Sequence, residues 1–238
     1  MLQQNQVTRY LLYALGEIIL VMIGILLALQ VNTWNEQRKS KALEQKTLRQ
    51  LNADLRQNYS EIKSIRDGVE IEIEAGEKIL HYLETEEPVT DSLLTWIQDL
   101  LASGIFNNAN TTYTNLQNGD GNLISNDSLR LRITLMYEED FTNIFNREER
   151  LYTDYLPKLR EESLTKFKPG PMLNKPPDSP RDFILSTPTN YSLLRKDQYF
   201  KNVIFELTNF RKLRLRFLNE TLIDLEKLID DINQEHSR

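Results

Sequence analysis

Residues 10–31 read YLLYALGEIILVMIGILLALQV, and this stretch decides the architecture of the chain. It carries one formal charge, Glu17, and as an α-helix it is about 33 Å long at roughly 1.5 Å per residue, enough to cross the hydrocarbon core of a bilayer. A cleaved signal peptide is the competing reading. Its apolar region usually has only ~7–15 residues, and here Ala28-Leu29-Gln30 runs on into Val31 without a small-residue cleavage pattern. The expectation is an uncleaved transmembrane helix over residues 10–31, a tail over 1–9, and a soluble helical domain over 32–238. Tyr10 and Tyr13 at one end and Trp34 at the other are amphipathic aromatics suited to the two headgroup levels, so they mark the interfacial anchors.

Glu17 lies about two turns inside the Tyr10 end, where translocon scales put an acid at ~2.5–3.5 kcal/mol if it reaches mid-bilayer. At 100° per residue Glu17, Val21, Gly24 and Ala28 share one stripe, so the acid sits on a face with a small-xxx-small pair. One reading is a helix–helix contact with a second copy or a partner membrane protein, with Glu17 protonated or hydrogen-bonded across it. The other is that Glu17 reaches to the headgroups and the small residues are incidental. A proton or ion path is a third, for which a single helix offers no second site. The flanks bear on orientation: only Arg9 precedes the span, whereas Arg38, Lys39, Lys41, Lys46 and Arg49 follow it. By count that places the large domain in the cytoplasm, although long domains cross largely regardless of local charge.

Composition narrows the function classes. The 238 residues carry a formal charge of −6, which lacks the basic field a nucleic-acid binder needs, so nucleic acid is not an expected partner. There is no cysteine, which excludes disulfides, thiolate metal sites and a cysteine nucleophile. Imidazole could come only from His81 and His236, both in contexts that suit ordinary surface residues.

Beyond Trp34 the chain has no Pro or Gly until Gly68, and Leu48, Leu55, Ile62, Val69 and Leu83 with Leu51, Ile65 and Ile79 follow a heptad pattern that Asn58, Glu72 and Gly76 interrupt. This predicts a long helix, continuous with the span and ending before Pro88, with Asn58 and Glu72 near the edge of its packed face. The stripe is too broken for a stand-alone coiled coil. A second helix is expected over 91–103 behind a Thr90 or Asp91 cap, stopped by Gly104. Residues 107–122 are rich in Asn, Thr and Gly and read as turns, with one helical turn around Tyr113–Leu116. The faint calcium-loop look of residues 118–122 fails because the required Glu falls on Leu129. From Asn126, a natural cap, to about Phe167 the pattern is helical, with Pro157 bending or breaking it. Six prolines make residues 168–190 an extended connection. Tyr191 to Glu235 forms a last helix matched in length to the first, so the two are the expected antiparallel spine of an all-α bundle. No segment reads as a good strand.

Two stretches carry a family likeness: RYLLYALGEIILVMIGILLALQVNTWNEQRK over 9–39 and TYTNLQNGDGNLISNDSLRLRITLMYEE over 112–139. The chain resembles a family of uncharacterised, single-anchor membrane proteins abundant in Bacteroidota bacteria. The likeness implies a bacterial inner-membrane protein with a cytoplasmic N-terminus and a periplasmic domain. It brings no activity with it.

No Gly-rich phosphate loop, HExxH, GxSxG or cluster of metal ligands occurs in the sequence, and the carboxylate runs at 84–87 and 138–140 suit solvated helix faces. No catalytic, cofactor-binding or metal residues are therefore expected, and no enzyme. The leading expectation is a membrane-anchored interaction or scaffold protein that contacts the lipid bilayer and a second copy or partner membrane protein. The alternative is an extracytoplasmic ligand sensor acting through a partner.

Overall fold

From Gln4 onward a single helix, α1 (Gln4–Glu84), runs for 81 residues. A computed structural model of the chain describes residues 4–85, 91–119, 121–172 and 184–236. α1 ends at Glu84, before Pro88 as expected. The Thr90 cap, Asp120 of the 118–122 turn and residues 173–183 of the Pro-rich connection lie outside the described residues, as do the side chains of Asp91 and His236. Up to Leu43, α1 is exposed from Arg9 onward; from Thr47 it buries one face. The buried positions Leu48, Leu51, Leu55, Ile62, Ile65, Val69 and Ile79 are those of the heptad pattern.

α2 (Asp91–Leu101) lies against α1, and α3 (Thr111–Asn118) follows an irregular segment. α4 (Asp127–Leu135) starts where expected: the Asn126 side chain accepts a hydrogen bond from the Leu129 N–H at 3.1 Å. The helical run then continues through α5 (Phe141–Arg150) and α6 (Leu156–Lys166), interrupted by two π turns, Met136–Asp140 and Leu151–Tyr155. The second of these immediately precedes Pro157. Proline cannot donate and its ring crowds the carbonyl one turn back, and the extra residue in a π turn moves that carbonyl aside. The helix therefore widens at the proline instead of breaking.

Two short antiparallel strands correct the expectation that no segment forms one. β1 (Phe167–Met172) pairs with β2 (Ile184–Pro188), Phe167 opposite Pro188 and Met172 opposite Ile184, with an irregularity between Pro169 and Met172. The two ends of the Pro-rich connection are thus paired. Prolines are tolerated in a two-stranded ribbon because each strand has a free edge that needs no donor. Both strands are minor, and the fold is all-α.

The last helix is split. α7 (Tyr191–Lys196) ends at Asp197, whose side chain accepts from the Phe200 N–H at 2.9 Å and so starts α8 (Gln198–His236). α8 runs antiparallel to α1 as the expected spine, with Asn52 bonded to Asn233 at one end and Gly76 against Thr208 further along.

Two apolar cores lie along this spine. One joins Leu48–Ile73 of α1 to Phe106, Phe141, Ile144 and the Leu218–Ile232 part of α8; the other joins Ile79–Leu83 to α2, Leu151–Phe167 and Phe200–Phe210.

Candidate functional site

The exposed part of α1 is the first feature that calls for a function. An 18-residue window in it has a mean hydropathy of 2.5 and is 0% buried, and it is the one helix among the described residues long and apolar enough to cross a membrane. Tyr10, Tyr13 and Trp34 are 76%, 72% and 63% exposed. Glu17, Val21, Gly24 and Ala28 are exposed too, and a Cβ built on Gly24 meets nothing within 4 Å. The structure therefore leaves the whole predicted packing face open.

Between the two apolar cores lies a layer of charge that sequence reading missed. Arg211 of α8 is 0% exposed, and its Nη1 sits 2.6 Å from Oε2 of Glu72 on α1. One turn on, Arg214 Nη2 donates to Glu148 Oε1 of α5 at 2.8 Å. The same two arginines hold the segment after α2: Arg211 Nη2 donates to the Leu100 and Ala102 carbonyls at 2.6 and 3.0 Å, and Arg214 Nη2 to the Gly104 carbonyl at 3.2 Å. Arg211 thus caps the C-terminal end of α2, where a cation is favoured. Glu148 in turn accepts the Phe106 N–H at 3.1 Å. Burial is the main cause that pushes the Glu148 carboxyl above its usual range, against the opposing pull of Arg214 and the Phe106 N–H. Burial likewise brings the Arg211 guanidinium down to about 10, still charged at neutral pH.

The irregular segment is stapled to α1 by side chains rather than by a sheet or helix of its own. Glu61 Oε1 accepts the Asn107 N–H at 2.8 Å, Asn58 Oδ1 the Ala109 N–H at 2.7 Å, and Asp54 Oδ2 the Thr112 N–H at 3.1 Å. Glu44 Oε1 takes the Ser125 N–H at 2.6 Å. Asn110, the residue before α3, makes no capping bond, so Asp54 satisfies that helix start from outside. Asn58 and Glu72 are accordingly 0% and 4% exposed, which corrects the expectation that they lie near an edge. Their partners come from distant sequence, which the local pattern cannot reveal. An Asn or Glu at a core heptad position was the only available signal.

Tyr113 and Tyr137 stack at 4.3 Å with an interplanar angle of 2°, and the Tyr137 hydroxyl donates to the Ala109 carbonyl at 3.2 Å. An open cleft lies beside the second π turn, lined by Tyr155, Lys158, Tyr199, Asn202 and Glu206. His81 is exposed, and no group of three or more His, Asp or Glu is placed to hold a metal among the described residues.

Fold and site together define an all-α protein in which one helix, apolar and exposed at its start, becomes a principal core helix of a bundle. The chain belongs to the family described as Family of unknown function (DUF6090), which matches residues 17–169. That match takes in Glu17, the packed part of α1 and everything to the end of α6, and leaves α8 with Arg211 and Arg214 outside it. No curated protein and no solved structure matches the chain.

Proposed function

We propose that this chain is a membrane-tethered scaffold: α1 crosses a bacterial inner membrane over residues 10–31, the bundle stands on the periplasmic side, and copies associate through Glu17, Val21, Gly24 and Ala28. The observation that carries it is the unbroken α1, exposed from Arg9 to Leu43 and then packed into the bundle. Such an apolar surface has no partner within its own fold, and lipid supplies one. Residues 32–43 make a stalk of about 18 Å at roughly 1.5 Å per residue.

The disposition of faces supports self-association. At 100° per residue the small-residue face points roughly 160° away from the side on which Thr47, Leu48, Leu51 and Leu55 are buried. Two copies can therefore meet at Gly24 with their bundles outward, and Glu17 can be hydrogen-bonded across the contact. We assign the protein no catalytic activity.

Reconstituted full-length protein is expected to cross-link as a dimer or higher oligomer, and Gly24→Leu is expected to weaken that association several-fold by blocking close backbone approach. A strict monomer unchanged by Gly24→Leu would overturn the self-association. A reporter fused after Arg238 tests the side of the membrane. The cleft beside Tyr155, whose ring stacks on Phe210 at 4.3 Å, favours one second reading, a ligand sensor acting through a partner. A ligand that raises the thermal midpoint of wild type but not of Lys158→Ala would support it.

A further inference from the structure

The cations that follow the span are arranged, not scattered. Projected at 100° per residue, Arg38, Lys39, Lys46 and Arg49 fall within an arc of about 100°, with Lys41 on its shoulder. Glu44 lies opposite the arc and is occupied by Ser125, whereas Glu36 lies about 60° beyond one edge of the arc, as far as Lys41 lies beyond the other. All five cations are exposed. Lys39 alone has a carboxylate neighbour, Glu36 at 3.0 Å, in a pair so exposed that it is worth little; Arg38, Lys41, Lys46 and Arg49 have none within 4 Å among the described residues. The arc points away from the bundle, so no element of the fold covers it.

We infer that this cationic face is a docking surface for the headgroups of anionic phospholipids in the leaflet from which α1 emerges. The inference rests on the reading that residues 10–31 cross the bilayer. Two features select this occupant. The face is continuous with the membrane span: Arg38 stands about 10 Å and Lys41 about 15 Å beyond Val31 at roughly 1.5 Å per residue, within reach of the phosphate level for side chains that extend back toward the interface. Its charge also opposes that of the whole chain, which is −6, so the cations are concentrated at the point where the chain meets lipid. Lys46 and Arg49 stand about 22 and 27 Å beyond Val31 at roughly 1.5 Å per residue, above the phosphate level at ordinary helix tilts, so they add only a screened attraction.

The same arc overlaps the small-residue face lower on α1. Two copies meeting at Gly24 therefore bring like charges together above the contact unless the helices diverge there or bound anions screen them. Anionic lipid should then strengthen self-association.

The test uses the full chain in phosphatidylcholine vesicles containing a minor fraction of phosphatidylglycerol, reading the preference of spin-labelled phosphatidylglycerol over spin-labelled phosphatidylcholine at the protein boundary. Wild type should prefer phosphatidylglycerol roughly fivefold at a boundary position beside one of these cations. High salt and the exposed triple variant Arg38→Gln, Lys39→Gln, Lys41→Gln should abolish the preference, and Lys212→Gln on the bundle should not. No preference in wild type, or one that the triple variant retains, would overturn the inference. Phosphate that displaces the lipid far better than chloride of equal ionic strength would also overturn it, in favour of a free-anion site. Protein that fails to float with the vesicles would overturn the membrane span itself, an outcome separate from the loss of lipid preference.

Discussion

At Gly76 the two long helices α1 and α8 approach closely: a Cβ there would collide with the Thr208 side chain, whose hydroxyl already donates to the Ile204 carbonyl at 2.7 Å. A glycine in a helix interior is unfavourable by roughly 0.5–1 kcal/mol relative to alanine, and here the helix contact requires it. Gly76→Ala should destabilise the bundle by about 1–3 kcal/mol in denaturant titrations, the usual range for overpacking. Thr208→Ala in the same chain should recover much of that loss. If Gly76→Ala is neutral or stabilising, the helices are not this close. The stacked tyrosines make a second claim. Burial, first, and the nearby Asp54 charge push the Tyr137 hydroxyl well above its ordinary value of 10.0, and burial raises Tyr113 too. A raised folded-state value means that the unfolded chain loses these protons first. Stability is therefore fully present below pH ~10 and falls as pH rises above it. Melting curves across that range should show the decline, and Tyr137→Phe should flatten it. A thermal midpoint independent of alkaline pH would contradict the burial.

At the scale of elements, the charged layer is the feature that fixes how α8 meets its neighbours. Glu72 with Arg211 and Glu148 with Arg214 balance, and they sit where each apolar core ends. Buried ion pairs are weak sources of stability, because desolvation offsets their attraction, but breaking one leaves a lone charge and costs about 3–5 kcal/mol. Our hypothesis is that the layer sets helix register: a slip of α8 by one turn would carry one arginine to the other's place and leave the second without its carboxylate. Glu72→Met should therefore cost about 3–5 kcal/mol in denaturant titrations, and Glu72→Met with Arg211→Met should cost less than Glu72→Met alone. A Glu72→Met change below about 1 kcal/mol would argue against a buried pair. The elements themselves were legible in the sequence where apolar periodicity and caps are local signals: the heptad positions of α1, the Asn126 cap and the long α8. What escaped were features set by tertiary partners. Asn58 and Glu72 look like interruptions until the 107–109 backbone and Arg211 arrive, and Lys-Pro-Gly-Pro has no alternation to suggest β1. Pro157 promised a break because nothing local reveals that a π turn can absorb it.

For the whole molecule, one helix is both the apolar surface and a core wall. Residues 10–31 and Thr47–Leu83 belong to the same unbroken α1, with no glycine or proline between Gly24 and Gly68, so the exposed apolar stretch and the packed face are joined by continuous helix. The faces of α1 are partitioned along its length, with small residues and cations on one side and the bundle on the other. The stripe of Glu17, Val21, Gly24 and Ala28 was readable from sequence alone, whereas the opposition of faces needed the buried set of α1 to fix the bundle side. All of this depends on residues 10–31 remaining attached and embedded in lipid. The most direct measurement is alkaline carbonate extraction of membranes from cells making the full chain, with the mass of the protein determined in each fraction. The expected result is protein retained in the membrane pellet with residues 10–31 intact; protein released to the supernatant, or a mature form beginning after Gln30, would contradict it.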